Sequence, residues 1–280
     1  MTTLLHISDL HFGDAYAERV GRAVIEVIAR VQPDAVIASG DLVEWAEYPR
    51  SWRDLRGFLR RIESPMITIP GNHDIDRLNV ASRLRHPFRA YQRAVHPDID
   101  RVLAIPGAHI VGIGTPKRWT LDLGFVSEAQ IEWTESAFAG AAPGALKVLT
   151  LHHGLRSLGP ARFRRHVRGN QRVLACARKM GVDLVLTGHS HFPHAEVMAG
   201  GNGHSLVWSQ AGTATCRRFR PPFRNAVSVV RAGPERIDIE VWGFRRKEAR
   251  FLHDRNTSFS RRWEQRQSSG LYTAPSLILA

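Results

Sequence analysis

The chain has 280 residues, of which 43% are apolar and 23% charged, values of a globular protein that exclude intrinsic disorder. It carries 39 basic residues against 26 acidic ones, for a net charge of +13, and only Lys117, Lys147, Lys179 and Lys247 among the basic residues are lysine. Arginine grips phosphate in a planar, bidentate way, but a surplus this diffuse reads first as the usage of a GC-rich genome, so charge alone assigns no partner.

In chain order, Thr3–Ile7 is a predicted strand. Val20, Val24, Val27, Ile28 and Val31 then fall at helical spacing, and Pro33 stops that helix. Ala35–Ala38 is a second strand, Trp52, Leu55, Leu59 and Ile62 mark a second helix, and Met66–Ile69 is a third strand. After a less regular stretch, Val102–Ile105 and His109–Ile113 are strand-like. Ser127 and Gln130 form a capping box that opens a helix through Ile131, Thr134 and Phe138. Lys147–Leu151 is a strand. Val173, Leu174, Ala177 and Met180 line a helix closed by Gly181, and Leu184–Thr187 is the next strand.

The last third changes character. His194–Met198, Ser205–Trp208, Ala226–Val230 and Ile237–Trp242 are strand candidates joined by Gly, Pro and Asn turns, with a hairpin signal at Gly200-Gly201-Asn202-Gly203. Repeated βα units followed by an antiparallel meander predict a layered α/β sandwich in one domain over residues 1–255. Residues 256–280 read as a basic, polar tail or arm ending in the apolar Leu277–Leu279.

Five polar clusters each follow a predicted strand: Asp9-Leu10-His11, Gly40-Asp41, Gly71-Asn72-His73-Asp74, His152-His153, and Gly188-His189-Ser190-His191. The carboxyl ends of strands are where open α/β sheets bind ligands. These donors are oxygens and imidazoles without thiolate, a set that suits Mn, Fe, Zn or Co, with Mn first. Asp9, His11, Asp41, Asn72, His152, His189 and His191 are too many ligands for one tetrahedral ion and enough for two ions with open positions. In this reading Asp9, His11 and His191 hold one divalent ion, Asn72, His152 and His189 the other, and Asp41 bridges. Such a pair clamps a phosphoryl group and acidifies a water into the attacking hydroxide, while the Asn72 amide steadies the charge that develops on phosphorus oxygens.

The ordered series D-x-H, G-D, G-N-H-D, H-H and G-H-x-H, from Asp9 to His191, resembles the calcineurin-like metallophosphoesterase superfamily. The resemblance implies a four-layer α/β/β/α sandwich and a dinuclear metal site built from the seven residues just named. It also implies that His73 donates a proton to the leaving oxygen or the phosphate, and that Asp74 orients His73. Between His152 and His153, the family pattern selects His152. The opening His6-Ile7-Ser8-Asp9-Leu10-His11-Phe12 and the segment Gly40-Asp41-Leu42-Val43-Glu44 to Gly71 are most similar to bacterial class III cyclic-nucleotide phosphodiesterases. Those commonly carry H-H-P-P where this chain has His152-His153-Gly154-Leu155. The resemblance thus implies a phosphodiesterase acting on a nucleotide-type small molecule. The alternatives are a UDP-diacylglucosamine-type pyrophosphohydrolase at a membrane surface and a nuclease-phosphatase acting on DNA or RNA.

Other residues have plainer readings. His6 is a core histidine, His153 stands behind the ligands, His194 is an ordinary strand residue, and Cys176, Trp208 and Trp242 pack in the core. The run Arg162–Arg168 reads either as a basic cap that grips a polyphosphate, nucleic-acid or lipid-phosphate substrate or as a solvated loop, an anionic membrane surface being a further possible partner of the chain. Arg217, Arg218, Arg220 and Arg224 form a second basic cluster after a Gly-Thr loop placed to face the site. The N-terminus has no basic leader and reaches an acid at Asp9, so no secretory signal peptide is expected. The uncharged stretch Val102–Pro116 holds two prolines and three glycines and makes no membrane span. With only Cys176 and Cys216 there is no disulfide framework, which points to the cytoplasm, peripheral to the membrane if the basic arm docks there.

Overall fold

Thr2–Ile7 forms strand β1, every residue of it buried, and its neighbours follow from the same apolar-run logic. The computed structural model of the chain describes residues 1–158, 166–199, 205–219 and 223–261. Helix α1 (Glu18–Val31) buries Val20, Val24, Val27 and Ile28 and ends at Gln32, which takes a left-handed φ of 46° before Pro33. Strand β2 (Ala35–Ser39), helix α2 (Pro49–Leu59) and strand β3 (Met66–Ile69) complete the first two βα repeats. Two short helices, α3 (Val80–Arg85) and α4 (Arg89–Ala94), fill the stretch that showed no regular pattern. Strands β4 (Arg101–Ile105) and β5 (Ala108–Ile113) pair as a hairpin. Helix α5 (Glu128–Ala139) starts from the predicted capping box, with Gln130 N donating to Ser127 Oγ at 3.3 Å and Ser127 N to Gln130 Oε1 at 3.2 Å. Strand β6 (Leu146–Leu151), helix α6 (Asn170–Lys179) and strand β7 (Leu184–Thr187) follow, and Gly181, at φ +63°, turns the chain after α6.

The last strands are β8 (His194–Ala199), β9 (Ser205–Gln210), β10 (Ala226–Ala232), β11 (Arg236–Arg245) and β12 (Arg250–Ser260). One sheet has the order β12-β11-β10-β1-β2-β3 and the other β4-β5-β6-β7-β9-β8. Within the first, β1, β2 and β3 are parallel and β10, β11 and β12 antiparallel. The predicted meander is therefore present as β10–β12, whereas the hairpin β8–β9 joins the other sheet, with β9 parallel to β7. The turn Gly200–Gly203 lies outside the described residues. Strand β12 runs to Ser260, so residues 256–260, read from the sequence as the start of a tail, are part of the sheet; the rest of that tail, 262–280, also lies outside the described residues.

Three apolar clusters define the layers. Leu4, Ile37, Ile67, Ile110, Val148, Leu186, Val207 and Ile239 fill the space between the sheets. Val24, Ile28, Leu55 and Phe58 pack α1 and α2 against the outer face of the first sheet, and Phe138, Val173 and Leu174 pack α5 and α6 against the second. The order is helices, sheet, sheet, helices, the four-layer sandwich. Among the described residues no helix is long and apolar enough to cross a membrane. Both sheets end on the same edge, where the polar clusters lie.

Candidate metal centre

The loops after β1, β2 and β3 bring in Asp9, His11, Asp41, Asn72 and His73 from one sheet, and those after β6 and β7 bring in His152, His189 and His191 from the other. Parallel pairing runs past the strand ends: Asp9 N donates to Gly40 O and His11 N to Asp41 O, both at 3.0 Å. The backbone there is held in an uncommon conformation. Asp9, His11, Asp41, His189 and His191 have φ of 54°, 49°, 51°, 71° and 61°. Left-handed backbone costs a residue with a Cβ about 1–2 kcal/mol, and its concentration in five neighbouring residues marks a built site rather than chance.

The glycines beside them are needed for room. A Cβ on Gly40, itself at φ +94°, would stand 2.7 Å from Gly71 N and from His152 Nδ1. One on Gly71 would collide with the backbone and carboxylate of Asp41, and one on Gly188 with Ser8 and the Asp9 carboxylate. Each loop closes on its neighbour because one of the two has no side chain.

All seven residues singled out as ligands converge. His11 Nε2 lies 3.2 Å from His191 Nε2, 3.8 Å from Asp9 Oδ1 and 3.7 Å from Asp41 Oδ2. His191 Nε2 is 3.1 Å from Asp9 Oδ1. On the other side, His152 Nε2 is 3.3 Å from Asp41 Oδ2, and His189 Nδ1 is 3.1 Å from Asn72 Oδ1. Asp9 Oδ1 and His152 Nε2 are buried without a hydrogen-bond partner, their contacts lacking hydrogen-bond geometry. The outward nitrogens are tied: His152 Nδ1 donates to Ser39 O at 2.7 Å and His191 Nδ1 to Arg218 O at 2.9 Å. That fixes the tautomer and leaves each Nε2 lone pair facing the centre, as a metal-binding histidine requires. Asp41, His152 and His189 form one group of possible ligands and His11, Asp41 and His73 another. Buried, unpartnered oxygen and imidazole donors of this kind fit divalent cations.

The electrostatics agree. Burial alone would raise both Asp9 and Asp41, but the histidines beside them, His191 for Asp9 and His152 for Asp41, hold both carboxyls below the usual range. Burial pushes His11 down to about 3 and His189 to about 4, so both are neutral ligands. Burial opposes but the Asp41 charge dominates at His152, raising it to about 9, a proton that a cation would displace.

Asp74 departs from expectation. Its carboxylate accepts Leu42 N at 2.9 Å, Val43 N at 2.9 Å and Gly71 N at 2.7 Å, so it fastens the β2 and β3 loops together. Burial and the Asp41 charge push it up to about 7, against the pull of those donors. Its hydrogen bonds run to backbone, and His73 is positioned instead by the Glu44 carbonyl, 2.8 Å from Nδ1, and by Arg77. His153 stands behind the centre as read, its Nδ1 2.7 Å from Thr115 Oγ1 and its ring 4.6 Å from that of His189.

His6, wholly buried, bonds Ser39 Oγ at 2.8 Å. His194 lies against Trp208, which is buried, as is Cys176, whose thiol burial raises to about 11. Trp242 is only partly buried, on the edge of the core. Glu44, Arg77 and Cys216 had no assigned place. Glu44 is buried and pairs with Arg218, and Cys216 lies near His11 and His191. Arg218 does reach the site, through its carbonyl. Arg162–Arg165 and Arg220 lie outside the described residues.

Residues 2–193 match the family described as calcineurin-like phosphoesterase. The chain is 26% identical over 264 residues to the 3',5'-cyclic adenosine monophosphate phosphodiesterase CpdA of Escherichia coli strain K12, covering 90% of each chain. It is 26% identical over 206 residues to the glycerophosphodiester phosphodiesterase GpdQ of Enterobacter lignolyticus, covering 67% of this chain and 70% of that one. In fold it is similar to a dimetal phosphatase from Danio rerio (TM-score 0.69, 12% identity, 93% and 99% of the two chains). It is also similar to a purple acid phosphatase from yellow lupin (TM-score 0.71, 13% identity), covering 94% of this chain and 54% of that longer one. With the family match running from β1 through the last of the five clusters, the chain belongs to the calcineurin-like phosphoesterase family, and it is a metal-dependent phosphoesterase.

Proposed function

We propose that the chain is a dimetal phosphodiesterase that hydrolyses a nucleotide-type substrate, a cyclic nucleotide first. Asp9, His11 and His191 would hold one divalent ion and Asn72, His152 and His189 the other. The observation that carries this reading is Asp41 Oδ2, 3.7 Å from His11 Nε2 and 3.3 Å from His152 Nε2, an oxygen shared by both groups. Similarity to CpdA over 90% of both chains supports the diester and nucleotide part of the reading. Two ions bound there, Mn ahead of Fe, Zn or Co, would supply Lewis-acid charge at the phosphoryl group and lower the pKa of water.

The chain's own residues do the rest. Asp41 Oδ1 accepts His73 N at 2.8 Å, which ties the bridging carboxylate to the loop that carries Asn72 and His73. Asn72 directs its amide to the phosphoryl oxygens. His73 Nε2 is the atom through which a proton moves to the leaving oxygen. The unpaired, buried Cys176 and Cys216 suit a reducing compartment, and we assign the protein to the cytoplasm.

The test is turnover of bis(p-nitrophenyl) phosphate against p-nitrophenyl phosphate after chelation and after Mn²⁺ is restored. Diester turnover that returns with Mn²⁺ and is abolished by Asp41→Ala is the expected result. No turnover by a folded, metal-loaded protein overturns the reading. Cyclic nucleotides, a UDP-linked lipid and single-stranded DNA then separate the substrate classes, since only nucleic-acid binding weakens steeply with salt.

A further inference from the structure

Arg77 has no part in the chemistry above, yet its guanidinium stands on the imidazole that the reaction needs. Nη1 lies 3.1 Å from His73 Nε2 and Nη2 lies 3.3 Å from Asp122 Oδ1. The guanidinium carbon is 5.8 Å from the centre of the Trp45 ring. Arginine only donates, so His73 Nε2 is the acceptor; Nδ1 faces a carbonyl, that of Glu44, and therefore carries the ring's proton. His73 Nε2 is thus covered by Arg77. The turn holding Arg77 is fixed separately, because Arg77 N and Leu78 N both donate to the Glu47 carboxylate.

His73 packs edge-on against His11, with ring centres 4.8 Å apart, so Arg77 Nη1 is one hydrogen bond beyond the ligand cluster. One imidazole therefore separates this guanidinium from the cluster that an ester would have to reach. An imidazole nitrogen is a weaker partner for it than an anion, since a phosphoryl oxygen adds the attraction of opposite charges to the hydrogen bond. Asp122 holds the other end of the fork, so one amino group can change partners while the side chain stays in place.

We infer that Arg77 is a substrate-binding residue: its Nη1 leaves His73 Nε2 for a phosphoryl oxygen of the bound ester. The exchange couples binding to chemistry, because Nε2, freed only when a phosphoryl group has arrived, can then take a proton from the attacking water and pass that proton to the leaving oxygen. The inference rests on the phosphoesterase reading and names a contact within it.

The experiment uses the full chain loaded with Mn²⁺ and compares Arg77→Ala with the parent in bis(p-nitrophenyl) phosphate turnover and in affinity for inorganic phosphate. A bond to a charged group of this kind predicts a fall of roughly 10- to 100-fold in kcat/KM and a comparable loss of phosphate affinity. Added guanidinium ion should restore part of the Arg77→Ala activity and none of that of His73→Ala, a response that a merely structural role would not give. Parameters within about threefold of the parent, well under one hydrogen bond's worth, overturn the inference, as does a loss that guanidinium leaves untouched. Arg77→Gln, neutral and of similar reach, carries the same test if the alanine variant does not fold. A parent that hydrolyses no ester overturns the phosphoesterase reading instead, and phosphate binding by parent and variant then still decides the role of Arg77.

Discussion

Asp74 and His73 are adjacent in sequence and face different partners, the first three backbone N–H groups and the second the Glu44 carbonyl and Arg77. The seven residues that converge were legible because each follows an apolar strand and each is a metal-binding type. The part of Glu44 was not, nor was the way Arg218, named for its charge, reaches the site, because both act through backbone carbonyls, which no side-chain pattern reveals. His6 was readable as a core residue, and its burial has a consequence. It sits wholly buried, pushed down to about 3 by desolvation, with Nδ1 lacking a partner. The folded state keeps it neutral, whereas the unfolded chain binds a proton near its ordinary value of about 6.5. The unfolded state thus holds more protons below that pH, so stability is full above it and is lost as pH falls toward 3. Each such group contributes about 1.4 kcal/mol per pH unit. Between pH 6.5 and 5, His6→Gln should therefore remove about 2 kcal/mol of the acid-induced loss, read from urea unfolding of chelated protein. Equal slopes for parent and variant would refute this.

At the level of elements, strands with unbroken apolar runs were the easiest to see: β1, β2, β3, β6 and β7 all lie where the pattern put them. Helices α3 and α4 were hidden because VASRLR and RAYQRA each carry three polar or basic residues in six and are too short to show a stripe. Strand β12 was hidden because its residues from Leu252 onward are largely exposed, polar or charged, which removes the alternation that marks a half-buried strand. The glycines of the loops were visible as punctuation; that they are points of contact was not. Gly71→Ala is the sharpest test of that contact, since Gly71 is not at positive φ and the three atoms nearest the new methyl all belong to Asp41. The variant should fold, with a stability loss of about 1–3 kcal/mol from overpacking, and should lose metal affinity out of proportion because Asp41 must move. Metal content by mass spectrometry equal to that of the parent would show that the loop yields elsewhere.

For the whole molecule, the question is what joins the two sheets at the edge where the core between them ends. Leu4, Ile37, Val148 and Leu186 join them in the interior, but at the carboxyl edge the facing groups are Asp9, Asp41 and Asn72 from one sheet and His152, His189 and His191 from the other. The direct links there are polar and run between the candidate ligands and their loops: His152 Nδ1 to Ser39 O at 2.7 Å, His189 N to Asp9 Oδ2 at 3.0 Å, His189 Nδ1 to Asn72 Oδ1 at 3.1 Å and His191 Nε2 to Asp9 Oδ1 at 3.1 Å. Five ligand-bearing backbones in left-handed conformation add strain on the same edge. Cations held by residues of both sheets would offset that strain and tie the layers together, and the tie would be absent from the unfolded chain. Ligands that bind only the folded state stabilise it by about 2.7 kcal/mol at a hundredfold excess over Kd. For a domain of this size, that corresponds to roughly 5–10 °C in Tm. Chelation should lower Tm by that order and Mn²⁺ should restore it, while Asp41→Ala should melt at one temperature with or without Mn²⁺. A parent whose Tm ignores verified metal removal would place the metals on one sheet alone, with the hydrophobic layer sufficient to hold the sandwich closed at its catalytic edge.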